Sequence, residues 1–180
     1  AKPEIINMLG ITGDPSALPL ITSSLSDPDQ KVRTEAAAAL AAVKGSEAAP
    51  ALIEYLANST QPADLDAAKA ALMSVSGNPE IALLKPLLKN GSPSAVRSAI
   101  ELFAWNMDSE NFGDVLPLAA SDDEGVKDAA FRALPALAGN GDQDDLIRLL
   151  ESTVDKDHIA NLQDALANAA LFTSDPEKRS

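Results

Sequence analysis

The feature that most constrains this sequence is a period. Gly13, Gly45, Gly77 and Gly139 fall at near-equal spacing with Asp108 holding the intermediate place, so successive breaks lie 32, 32, 31 and 31 residues apart. Self-similarity at a fixed period of this length marks a repeat architecture, in which one unit cannot bury its apolar face alone and neighbours stack to complete a core. Each interval reads in the same way, as a shorter helix, a polar turn, a longer helix and a break.

In residues 13–44 the first helix, over 15–25, carries Leu18, Ile21 and Leu25 on one face. The turn Ser26-Asp27-Pro28-Asp29 offers capping side chains and a proline preset for the next helix. That second helix turns Val32, Ala36, Ala39, Leu40 and Val43 inward, and Gly45 ends it. The same pattern runs through 45–76 (Leu52, Leu56; Leu65, Ala68, Leu72) and 77–107 (Ile81, Leu84, Leu88; Val96, Ile100, Phe103). It continues through 108–138 (Val115, Leu118; Val126, Ala130, Leu134, Leu137) and 139–172 (Leu146, Leu149; Ile159, Leu162, Leu166, Ala169). Residues 2–12 read as the second helix of a partial unit, and 173–180 as a tail in which Thr173-Ser174-Asp175-Pro176-Glu177 opens another turn. Neither end has the polar face of a capping repeat, so the expectation is a segment of a longer protein. Pro19, Pro50, Pro86 and Pro117 recur inside first helices and predict a bend there, and Pro135 predicts a distortion inside a second helix.

Composition fits this reading. Aromatic residues are 3% of the chain, so Ala, Leu, Ile and Val must fill the core, which suits closely packed helices. The expected fold is therefore all-α, an α-α superhelix: a right-handed solenoid of about five helix pairs behind a partial leading helix, forming a single domain. A formal net charge of −13 argues against nucleic acid as a partner, because such binding needs basic groups to displace counterions. Cysteine is absent, which removes disulfides, thiolate metal sites and cysteine nucleophiles while leaving the compartment open. No apolar stretch is expected to reach the length of a membrane span, and Ala1-Lys2-Pro3-Glu4 reads as leading into an amphipathic segment, as a mature or excised fragment also would.

The run Leu25-Ser26-Asp27-Pro28-Asp29, Val32-Arg33, Ala36-Ala37, Ala39-Leu40 resembles the HEAT-like repeats found in many bacterial proteins, including the phycobilin lyases. Val96-Arg97 and Asp123, Val126-Lys127, Ala130 echo it, whereas Leu65-Asp66 stands where Val-Arg is expected and the fifth unit lacks the pair. The resemblance implies that the base after each valine bridges to the turn aspartate of its own or the next unit. Asp27, Arg33, Arg97 and Lys127 would then form a structural ladder, each rung worth about 0–1 kcal/mol where exposed. It also implies that second helices line the concave face.

No constellation of residues supports catalysis, a metal or a cofactor. Asp122-Asp123-Glu124 and Asp142-Gln143-Asp144-Asp145 lack calcium-loop spacing and open helices, where carboxylates cap free amides. His158, the sole histidine, reads as a solvated surface side chain. The aromatics Phe103, Trp105, Phe112 and Phe131 gather in the third and fourth units. At about 100° per residue Trp105 lies about 180° from Val96, with Ser98 and Glu101 on the same outer side, and Phe131 lies about 140° from Val126. Two placements fit Trp105: a hot spot on an outer face, or core at a junction between units. The expected partner-binding set is Ser98, Glu101, Trp105, Asp128, Phe131 and Arg132, facing another protein or another domain of the same chain. The expected function is a non-catalytic scaffold. The alternatives are an accessory repeat domain of a larger multidomain enzyme, for which an extracytoplasmic setting is compatible, and a lyase-like small-ligand protein.

Overall fold

A computed structural model describes residues 2–174, with the side chains of Asn78, Phe172, Thr173 and Ser174 left aside. Asp175, Pro176 and Glu177 of the expected closing turn lie outside the described residues, while Thr173 and Ser174 belong to the last helix. Among the described residues there are helices and turns and no strand. In chain order the helices are α1 (Lys2–Thr12), α2 (Leu18–Ser24), α3 (Gln30–Lys44), α4 (Ala49–Asn58), α5 (Pro62–Val75) and α6 (Asn78–Ala82). They continue with α7 (Lys85–Asn90), α8 (Pro93–Asn106), α9 (Phe112–Val115), α10 (Glu124–Leu137), α11 (Gln143–Ser152) and α12 (Lys156–Ser174). The chain forms two compact units, Ala1–Ser98 and Ala99–Ser180, the division falling within α8.

The recurring prolines act more sharply than a bend. Pro19, Pro50 and Pro86 each sit in the first two positions of an α-helix, and a 3-10 turn or a short helix precedes each one. Pro117 likewise opens the 3-10 segment Leu116–Ala120 after α9. At these positions the missing N–H would have no intrahelical partner anyway, so the break costs little and the chain restarts in a new direction. The fifth interval has no such proline, and there α11 runs unbroken over Gln143–Ser152. Pro135 is carried inside α10, two residues before that helix ends, and its carbonyl accepts a 2.9 Å bond from Asn168 Nδ2 on α12.

In the first unit α3 is the central element, packed by α1, α2 and α5. Val32, Ala36, Ala37 and Leu40 are buried, and the alanines let neighbouring backbones approach. The approach is closest at Gly10, where an added Cβ would lie 2.8 Å from the Cα and Cβ of Ala39. Asn7 Nδ2 donates to Glu35 at 2.9 Å across the same pair of helices. The helical run Gln30–Asn58 is long and apolar enough to cross a membrane by length and composition, which corrects the expectation that no stretch approaches a span. It is two helices, turned at Gly45 with φ 58° and ψ −138°, and its inward residues are the core of this unit.

In the second unit α10 plays the central part, packed by α12, α9 and the Leu116–Ala120 segment, while α11 packs on α12. Val126, Ala130, Leu134 and Leu137 of α10 meet a core that includes Phe112, Val115, Leu162 and Ala169. Asp123 caps α10 by accepting the Val126 amide at 2.9 Å, as the acidic turn predicts. Asp142 behaves differently: instead of capping α11 it reaches back to accept the Gly139 amide at 2.7 Å.

Candidate functional site

The expected ladder is rebuilt around a residue the sequence reading passed over. Arg33, in the first turn of α3, donates from Nη1 to the carbonyls of Asp27 (2.9 Å) and Pro28 (3.1 Å), fixing it to its own turn. Its Nη2 and Nε reach Asp64 of α5, with Nη2 to Oδ2 at 2.6 Å. The Tyr55 hydroxyl donates to Asp64 Oδ1 at 2.8 Å. The Asp27 carboxylate, expected to take Arg33, instead takes Lys2 of α1 and the Asp29 amide. Lys127 pairs inside its own helix with Glu124 at 2.7 Å, and Arg97 donates to Ser94 Oγ at 3.2 Å.

Burial sets the electrostatics of this group. The Asp64 side chain is 5% exposed and that of Arg33 18%, so the pair sits in a poorly solvated place and depends on its mutual hydrogen bonds. Its bond to Asp64 pushes Arg33 up, and burial together with the adjacent Asp64 pushes the Tyr55 phenol up, so both keep their protons. At the turn before α3, the bond from Lys2 and the Asp29 amide hold the Asp27 carboxyl below the usual range. Over Arg33, Tyr55 and Asp64 opens a cleft of about 490 Å³, rimmed by Thr22, Ser26, Glu54, Asn58, Thr60 and Gln61. Asp64 was traceable in outline, as a lone carboxylate in the apolar first turn of α5, one period after Arg33; nothing local marks Tyr55 as its partner.

The expected partner-binding residues divide. Trp105 is 41% exposed near the end of α8, and Glu101, one turn earlier, is exposed. Arg132 is exposed and Asp128 half-exposed, one turn apart on α10. Ser98 and Phe131, by contrast, are buried. A single core direction places both on an outer face, but α8 buries residues around most of its circumference, including Ala95, Ala99 and Leu102. Phe131 is covered from α12: it stacks on the His158 ring with centroids 3.9 Å apart and planes 7° from parallel.

That stack also corrects the reading of His158 as a solvated side chain. Its side chain is 14% exposed, Nε2 lies 2.8 Å from Asp128 Oδ1, and its amide donates to Asp155 Oδ1 at 3.0 Å. The histidine is a linker between α12 and α10, and the amides of His158 and Asp157 hold the Asp155 carboxyl below its usual range. Among the described residues no three acidic, histidine or cysteine side chains gather in a metal-binding arrangement. What the site offers chemically is surface: an indole, carboxylates and the exposed Arg132 guanidinium on helices held by packing.

The fold and these sites can be set beside known proteins. The family described as HEAT repeats matches residues 2–73. Among curated proteins, none matches the chain in sequence. An engineered protein of known crystal structure is similar over 94% of this chain and 90% of its own, at 22% identity and a TM-score of 0.51. A structure of crescerin, which uses a TOG domain array to regulate microtubules in the primary cilium, is similar over 84% of this chain and 73% of its own, at 18% identity and a TM-score of 0.59. Likeness at these identities carries the fold, an all-α helical-repeat architecture, and nothing finer.

Proposed function

We propose, from the premise that this chain carries HEAT repeats over residues 2–73, that it is a non-catalytic scaffold whose helices present a surface to another protein. The repeat fold is of a kind that generally serves protein interaction, and the observation that supports this reading is Trp105. It is the chain's one tryptophan, and it stands 41% exposed on a regular helix. Large aromatic side chains at that exposure are enriched where partners bind. Glu101 on α8 and Asp128 and Arg132 on α10 supply the polar contacts of the proposed surface, which belongs to the second helices of repeats spanning 77–107 and 108–138. The overall negative charge disfavours nucleic acid as the partner.

The test compares wild type with Trp105→Ala in affinity capture, using Val154→Ala at a 93% exposed position as the control. Partner binding should weaken about 30-fold or more in the Trp105 variant, as for a hot-spot residue. Helicity should be unchanged, with stability within about 1 kcal/mol of wild type. A loss of several kcal/mol in stability, or capture that survives the substitution, would sink this reading. The cleft over Arg33, Tyr55 and Asp64 favours a second reading, a small-ligand site in the first unit. A ligand that raises Tm in wild type and not in Tyr55→Phe would support that reading.

A further inference from the structure

The end of α8 carries a side chain that the fold does not demand. α1 and α3 are each followed by a glycine in the left-handed region, Gly13 at φ 66° and Gly45 at φ 58°. Without a Cβ, glycine adopts that conformation freely and so terminates helices well. After α8 the same place is held by Met107 at φ 53°, whose amide donates to the carbonyls of Phe103 (3.2 Å) and Ala104 (3.3 Å). A methionine there is strained relative to glycine, and packing does not explain its presence, because it is 70% exposed. Residues held in sparsely populated backbone regions concentrate at functional sites.

Its surroundings indicate what it meets. Trp105 is two residues away, and Glu101 precedes Trp105 by one helical turn, on the same face. Asp108 follows Met107 and turns its Oδ1 to the Glu110 amide at 3.1 Å. From Ser98 to Val126 the chain has seven acidic side chains and no lysine or arginine. An exposed indole face in such a field attracts a cation, and a flexible thioether adapts to varied apolar shapes. A second copy of the chain would bring the same negative charge and be repelled.

We propose that Trp105 and Met107, bracketed by Glu101 and Asp108, dock a basic amphipathic segment of a partner protein. An apolar side chain of that segment rests on Met107 and the indole, and its lysines or arginines meet the indole face and the carboxylates. This rests on the docking reading above and adds the chemistry of the partner to it.

Trp105 is the only tryptophan, so its emission reports on the site directly. The full chain is titrated with a synthetic leucine/lysine amphipathic peptide and with its leucine/glutamate counterpart. The leucine/lysine peptide should shift Trp105 emission and bind about tenfold or more tighter than the leucine/glutamate one, the difference shrinking at high salt. Met107→Gly should weaken the leucine/lysine peptide about tenfold while leaving Tm equal or higher. Equal binding of the two peptides overturns the basic chemistry and leaves the docking surface standing. Silence of Trp105 toward both overturns the docking reading itself. Binding unaffected by Met107→Gly overturns the part assigned to Met107.

Discussion

At the scale of single residues, the first unit is organised by one buried carboxylate. Asp64 accepts from Arg33 and Tyr55 at once, so it satisfies a guanidinium and a phenol that have little water around them. Asp64→Ala leaves both donors facing a cavity and should lower stability by about 3 kcal/mol, the cost of breaking a mostly buried pair from one side. Urea unfolding of the variant checks this. If the double variant Arg33→Met/Asp64→Leu does not recover most of the loss, the cost lies in packing and not in the stranded charge. Arg33 was legible from the sequence because it belongs to a recurring motif. Asp64 was legible only as a carboxylate one period after Arg33, and Tyr55 not at all, because their role exists only once α4 and α5 fold onto the turn before α3.

At the scale of elements, glycine and proline set where helices begin, end and approach each other. The breaks before Pro19, Pro50, Pro86 and Pro117 follow from a local property of proline, and the unbroken α11 shows the same rule in its absence. Gly10 acts across elements. An alanine there would put its Cβ 2.8 Å from the Ala39 backbone, and neither helix can yield without disturbing the α1–α3 contact. Gly10→Ala should therefore lower stability by about 1–3 kcal/mol despite alanine's better helix propensity. Thermal unfolding that is unchanged or raised would show that α1 is loosely seated. The burial of Ser98 and Phe131 is also an effect of elements: a helix flanked on several sides keeps only a narrow outer strip, and for α8 that strip includes Glu101 and Trp105.

At the scale of the whole molecule, charge and its titration connect the separate sites. Asp14, Asp27 and Asp155 all have carboxyls held below the usual range, by the Ser16 amide, by Lys2 and by the His158 amide respectively. A carboxyl with a lower pKa folded than unfolded contributes fully above the unfolded value, about 3.9, and that contribution is lost as pH falls through the lower folded value. Wild type should thus exceed Asp27→Asn in Tm near neutral pH, and the gap should close as pH falls below the unfolded value of about 3.9 and through the lower folded one. A gap independent of pH would assign the effect to shape instead of ionisation. Sequence alone determined the helical-repeat class, the longer second helices with the turns before them, and the acidic balance, because periodicity, backbone restriction and charge are properties each residue carries locally. Only the tertiary structure decided that Arg33 meets Asp64, that His158 lies flat on Phe131, and that Met107 is exposed in a glycine's place. The first two depend on which side chains from distant parts of the chain share a poorly solvated space, and the third on neighbours leaving Met107 uncovered; no local pattern encodes either.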